Sequence, residues 1–120
     1  MHRGVKMIYF ACKNIEIKDL ITCTFAMNKT DYKLFTFLLE QDEHLTTNEI
    51  SEAMDLDRSS IQKSIKRLVE KDIVMRNQEN LDKGGYIFSY KVKDKDVIKK
   101  KIRETIKKWN EKVEHEISRW

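Results

Sequence analysis

Residues 58 to 67 read RSSIQKSIKR, in which Arg58, Lys63, Lys66 and Arg67 stand with no acidic neighbour. The chemistry such a stretch offers is noncovalent recognition. Lysine and arginine donate to guanine O6 and N7 or to phosphate oxygens, Gln62 matches the N6 and N7 edge of adenine, and Ser59 and Ser60 are small enough to allow close approach. Residues 46 to 57 have the reverse character, with Glu49, Glu52, Asp55 and Asp57 and no cation. Two adjoining segments of opposite charge call for two elements with different surroundings.

Helical spacing supplies those elements. Thr46 with Glu49 matches a capping box and opens a helix expected to bury Ile50, Ala53 and Met54. Asp-Leu-Asp at 55 to 57 interrupts it, and Asp57 caps a second helix with an apolar stripe of Ile61, Ile65, Leu68 and Val69. The three-residue connection has helix-turn-helix spacing. On a helical wheel, Ser59, Ser60, Lys63, Lys66 and Arg67 fall opposite the stripe, with Gln62 at the edge. That exposed face is expected to enter a major groove, and Thr46, Thr47 and Asn48 at the start of the preceding helix join it. The acidic helix packs across the recognition helix, with its carboxylates turned away from phosphate.

Upstream, Asn28 caps a helix that carries Asp31 in its first turn and Leu34, Phe35, Leu38 and Leu39 along one face, ending near Gln41. A short helix is expected over roughly 14 to 26, where Ile17, Leu20, Ile21, Thr24 and Phe25 recur at helical spacing. Val5 to Phe10 fits either a strand or the start of a helix.

After Lys71 the period becomes two. Ile73 to Gln78 reads as one strand, and Tyr86, Phe88, Tyr90 and Val92 alternate along another. The loop between them, ENLDKGG, ends on Gly84 and Gly85, whose backbone can take positive φ and approach a phosphate closely. Arg76, Gln78, Asn80 and Lys83 cluster around this tip as further contact candidates, alongside Glu79 and Asp82, which repel phosphate. From about Asp94 the chain returns to helix, with Ile98, Ile102, Ile106, Trp109, Val113, Ile117 and Trp120 in one apolar stripe. The last six of these are the expected dimer interface.

The fold expected is mostly α with a small β-hairpin (α+β): a winged helix-turn-helix with a long C-terminal helix. It divides into an N-terminal segment at 1–27 for packing or dimerisation, a DNA-binding domain at 28–93 and a dimerisation helix at 94–120.

Composition is compatible with this reading. At 120 residues the chain is about one domain long, and with 24 Lys and Arg against 20 Asp and Glu it is mildly basic. Proline is absent and glycine occurs three times, which favours long helices. No apolar run approaches a membrane span and the start lacks the form of a signal peptide, so a cytoplasmic location is expected. Cys12 and Cys23 are too far apart for a C-x-x-C pair and are expected to be buried and reduced; His2, His44 and His115 form no ligand pattern. No phosphate loop, zinc spacing or nucleophile motif marks an enzyme, and no cofactor, metal or small-molecule ligand is expected.

The stretches FAMNKTDYKLFTFLLE, LTTNEISEAMDLDRSSIQKSIKRLVEKDIV and GGYIFSY, within Phe25 to Val92, resemble the short archaeal winged-helix regulators related to TrmB and, more distantly, to MarR. The resemblance implies sequence-specific binding to double-stranded DNA by a homodimer, with the recognition helix at about 58–71 in the major groove and the wing at about 73–92 on the flanking backbone. It does not carry over the sugar control of larger TrmB relatives. The competing reading is a winged-helix protein–protein interaction module associated with the transcription machinery, which should present an apolar or acidic face where this helix presents cations.

Overall fold

In a computed structural model that describes residues 7–120, the chain divides into two compact units. One comprises the residues up to Met27 together with Ile98–Trp120, and the other is Asn28–Val97. The fold is α+β, a winged helix-turn-helix with a long C-terminal helix.

The first unit opens with a hairpin. Strands β1 (Met7–Phe10) and β2 (Lys13–Glu16) pair antiparallel, Met7 opposite Glu16 and Phe10 opposite Lys13, around a turn in which Ala11 takes φ 48°. Helix α1 follows at Ile17–Thr24, its entry fixed by the Glu16 N–H, which donates to the Asp19 carboxylate at 3.1 Å. The expected helix over 14 to 26 is therefore corrected at its start. Its apolar spacing begins only at Ile17, and the backbone before that is committed to the ladder with β1. Val5 and His2 lie outside the described residues.

The second unit holds the winged helix. Helix α2 (Lys29–Leu39) is capped by Asn28, whose side-chain oxygen accepts from the Asp31 N–H at 2.8 Å. Strand β3 (Leu45–Thr46) leads into α3 (Thr47–Met54), where the Thr46 hydroxyl accepts from the Glu49 N–H at 3.2 Å and the Glu49 carboxylate accepts from the Thr46 N–H at 2.8 Å. That reciprocal pair is the capping box read from the sequence. Asp55 ends the helix in the left-handed region at φ 54°, and the Ser51 hydroxyl donates to the Leu56 carbonyl at 2.5 Å, closing the turn. Helix α4 (Arg58–Glu70) begins after Asp57, which accepts from the Ser60 N–H at 2.9 Å.

The wing pairs β4 (Val74–Asn80) with β5 (Tyr86–Val92), and β3 adds on the other side of β5, giving the order β3-β5-β4 with every pair antiparallel. Strand β3 was not expected, because two residues cannot display an alternation. The first wing strand starts at Val74 rather than Ile73 and runs two residues past Gln78, so Glu79 and Asn80 belong to the ladder and not to the loop. At the tip the Leu81 N–H donates to the Gly85 carbonyl and the Gly84 N–H to the Leu81 carbonyl, each at 3.0 Å, with Gly84 and Gly85 at φ 91° and 81°. A side chain at either position would be strained in that region.

The core of this unit gathers Leu34, Phe35 and Leu38 from α2, Ile50 from α3, Ile61, Ile65 and Leu68 from α4, and Ile73, Val74, Tyr90 and Val92 from the sheet and its approach, all buried. Each fully buried aliphatic side chain stabilises the unit by about 1.5–3 kcal/mol. Ala53 is exposed and Met54 half-buried, so the inward face of α3 is narrower than its spacing suggested.

Helix α5 (Lys95–Arg119) runs through 25 residues, of which Ile98 is buried and most of the others are exposed, Ile106, Trp109 and Ile117 among them, and Trp120 just past its end is exposed as well. Cys12 and Cys23 are free and exposed, which corrects the expectation of buried thiols: Cys12 sits in the turn of the N-terminal hairpin, and Cys23 lies off the Leu20, Ile21 and Thr24 side of a short helix. No helix among the described residues is long and apolar enough to cross a membrane.

Candidate nucleic-acid interface

An open groove of about 490 Å³ runs between α4 and the wing. Arg58, Gln62, Lys66 and Glu70 line one wall, from successive turns of α4. Thr46, Thr47 and Asn48 close one end, from the first turn of α3. The opposite wall is Arg76 of β4 with Tyr86, Ile87, Phe88 and Tyr90 of β5. Three cations face one carboxylate here, so the field in the groove favours an anion.

The geometry follows from local rules. Residues 58, 62, 66 and 69 recur at three and four, which stacks them on one side of α4, next to the Ile61, Ile65 and Leu68 stripe that holds the helix on the core. In the wing, the register sets Arg76 opposite Tyr90, Gln78 opposite Phe88 and Asn80 opposite Tyr86, which puts these six residues on one face of the hairpin. The Arg76 guanidinium lies 4.4 Å from the centre of the Phe88 ring, and the Tyr86 and Phe88 rings are 5.1 Å apart with a tilt of 57°.

The remaining candidates fall in three places. Ser59 and Lys63 are exposed on the outer side of α4. Gln78, Asn80, Lys83, Gly84 and Gly85 are exposed along the outer half of the wing, with Glu79 and Asp82 beside them. Ser60 and Arg67 occupy a third position, on the side of α4 away from the groove. The Ser60 hydroxyl is committed to Asp57 at 2.6 Å, and the Arg67 guanidinium is held by Asp31 of α2. The wheel that grouped Ser60 and Arg67 with Lys63 and Lys66 on one open face is corrected here, because α2 supplies an acceptor on that flank of the helix.

Asp31 is the residue whose place was least expected. It is buried, and its Oδ1 accepts from the Ser64 hydroxyl at 2.6 Å and from Arg67 Nη2 at 2.8 Å, while Arg67 Nε lies 3.1 Å from both carboxylate oxygens. Burial alone would raise its pKa, but the hydrogen bonds from Arg67, Ser64 and the Asn28 N–H, with the charge of Arg67, outweigh it and hold the carboxyl below its ordinary value of 3.8. The same bond raises the pKa of Arg67. Asp57 is also lowered, by the hydroxyl and then the N–H of Ser60, so the cap of α4 is ionised at neutral pH.

Tyr86, Phe88 and Glu70 also belong to the groove and were not among the candidates. The alternation of Tyr86, Phe88, Tyr90 and Val92 marks a strand face, and only the position of α4 shows that the outer end of that face opens into a groove. Asp31 did carry a signal: it lies three and four residues before Leu34 and Phe35, on the apolar stripe of its own helix, where a carboxylate requires a buried partner. Among the described residues no group of three His, Cys, Asp or Glu side chains could hold a metal ion.

Comparison with known proteins agrees with the fold. A possible transcriptional regulator from Methanosarcina mazei Go1 is 36% identical, with a TM-score of 0.86 and 98% of each chain covered. MepR of Staphylococcus aureus, in a structure of its DNA complex, has a TM-score of 0.51 over 84% of this chain and 79% of MepR; at 16% identity the likeness is one of fold. In sequence, the uncharacterized protein MJ1503 of Methanocaldococcus jannaschii is 30% identical over 112 residues, 88% of this chain and 84% of that protein. The resemblance to short archaeal winged-helix regulators is borne out by these relatives. The DnaD N-terminal domain model matches residues 23–113, and the chain belongs to that family.

Proposed function

We propose that the protein is a sequence-specific, double-stranded DNA-binding transcriptional regulator that acts as a homodimer. The observation that carries this reading is the groove wall of α4, where Arg58, Gln62 and Lys66 stand in line on an exposed helix with Thr46, Thr47 and Asn48 at its end. In the proposed complex α4 enters the major groove. Gln62 and a cation read base edges there, and Lys63 and the start of α3 meet the backbone. The wing lies on the flanking strand, where Arg76, Gln78, Asn80, Lys83 and the backbone at Gly84 and Gly85 contact phosphate and sugar. The similarity to the possible regulator of Methanosarcina mazei supports this assignment.

The dimer is proposed to form through α5. A helix of 25 residues is about 38 Å long, and Ile106, Trp109, Ile117 and Trp120 leave large apolar surface open along it, with Ile102 and Val113 half-covered. Covering that stripe with a second copy would bury it and supply a pair of recognition helices, as a palindromic site requires.

Selection from random duplex DNA tests the whole reading. A recovered motif with two related half-sites is the expected result, and enrichment of no sequence would remove the claim of specificity. The second reading, a protein-interaction module, is favoured by one feature, the exposed apolar side chains of Tyr86 and Ile87 at the outer end of the wing. It predicts no duplex binding at any salt concentration, which the same experiment reads.

A further inference from the structure

Arg67 is turned away from the groove and its geometry explains why an arginine stands there. Its Nε and Nη2 together engage the Asp31 carboxylate, the forked arrangement that a guanidinium makes and an ammonium does not. Ser64, one turn earlier on α4 and fully buried, donates to the same carboxylate. Asp31 in turn belongs to the capped first turn of α2, where its Oδ2 accepts from the Asn28 N–H at 3.4 Å. One carboxylate therefore ties the start of α2 to two neighbouring turns of α4.

Such a contact restrains a motion that apolar packing resists weakly. The Ile61, Ile65 and Leu68 stripe holds α4 against the core but tolerates small rotations about the helix axis, since dispersion contacts are non-directional. Hydrogen bonds from Ser64 and Arg67 to one buried acceptor are directional and fix that rotation. The scale is sufficient to matter: turning a helix by about 20° carries a side-chain tip at a radius of about 6 Å through about 2 Å. Hydrogen-bond distances span only about 0.5 Å. A rotation of that size would disengage Gln62 and Lys66 from base edges while leaving the positive charge of the surface in place.

We propose that Asp31, Ser64 and Arg67 form a positioning clamp that sets the rotation of the recognition helix, so that Arg67 governs sequence discrimination without itself touching DNA. This rests on the DNA-binding reading above. Ser64 makes the idea separable from a direct contact, because a fully buried, uncharged hydroxyl on the core side of the helix cannot reach a phosphate.

The experiment titrates the full chain and its Ser64→Ala, Arg67→Lys and Arg67→Gln variants against the preferred duplex and a random duplex over a salt series, with circular dichroism to confirm folding. Ser64→Ala is expected to lower the ratio of specific to random affinity by about tenfold, within the range of one lost base contact, with the salt slope on random DNA unchanged. Arg67→Lys keeps the charge and is expected to lose discrimination as well. Discrimination equal to wild type in Ser64→Ala or in Arg67→Lys overturns the clamp. So does a salt slope shallower by about 0.9 in Arg67→Gln, the mark of a lost phosphate contact. If the wild type binds neither duplex, the DNA-binding reading has failed and the clamp proposal falls with it, a result distinct from wild-type discrimination that survives every variant.

Discussion

The guanidinium of Arg76 rests over the Phe88 ring, 4.4 Å from its centre, and so is held on the groove face of the wing instead of extending into solvent. At a surface site this contact is worth about 0.5–1 kcal/mol, enough to bias where the charge sits but not to withhold it from a phosphate. The wing is therefore expected to add affinity more than specificity. Replacing Arg76 and Lys83 together by alanine should weaken binding to specific and random duplexes by similar factors and make the salt slope shallower by about two, one for each cation. A loss confined to the preferred sequence would mean that the wing reads bases.

On α4, Lys63 and Gln62 should separate the two kinds of contact. Lys63 is exposed on the outer side, and Lys63→Ala is expected to weaken binding to all sequences alike, with a slope change of about 0.9. Gln62→Ala should cost roughly 1–3 kcal/mol on the preferred site and little on random DNA. Equilibrium titration of both variants against both duplexes checks this. Sequence-dependent loss from Lys63→Ala alone would exchange the two assignments.

Stability should fall in acid for a defined reason. The Asp31 carboxyl is held below its ordinary value in the folded protein, so the folded state binds fewer protons than the unfolded chain across the interval between the two values. Its stabilising contribution is fully present above the unfolded pKa near 3.8 and is lost as pH falls through the folded one; Asp57 acts in the same direction. Denaturation midpoints from pH 7 to pH 2 should drop below about pH 4. Arg67→Ala, which leaves the buried carboxylate with fewer partners, should cost about 1–3 kcal/mol at pH 7. The lower end is expected, because the Arg67 side chain is 40% exposed and the pair is partly screened. An acid transition in this variant as steep as in wild type would show that Asp31 is not its source.

Sedimentation of the full chain beside a Trp109→Glu, Val113→Glu variant tests the proposed interface. A wild-type dimer at micromolar concentration and a folded, monomeric variant are expected, since each substitution would place a carboxylate in the apolar seam. A variant that stays dimeric would move the interface elsewhere, toward the exposed Ile8, Tyr9 and Phe10 of the N-terminal hairpin.

What the chain states locally was legible in its sequence. Asn28, Thr46 and Asp57 cap the three helices of the winged domain as their residue types require, because a cap is a contact between residues three apart. The change of period after Lys71 gave the wing, and the spacing of Ile98 to Trp120 gave a helix to the end of the chain. Where the local signal was short it failed. The β1–β2 hairpin and β3 span four, four and two residues, too few to display a period against the neighbouring helical pattern.

The tertiary structure decided which cations face which way. Lys66 and Arg67 are adjacent in sequence and similar in type, yet Lys66 lines the groove and Arg67 is turned toward α2. The helix sets them about 100° apart, but nothing in α4 says which of them meets an acid, because the carboxylate that draws Arg67 aside is 36 positions earlier in the chain. Periodicity assigns residues to the faces of one helix. Only the packing of a second helix determines which exposed face meets water and which meets a buried acid.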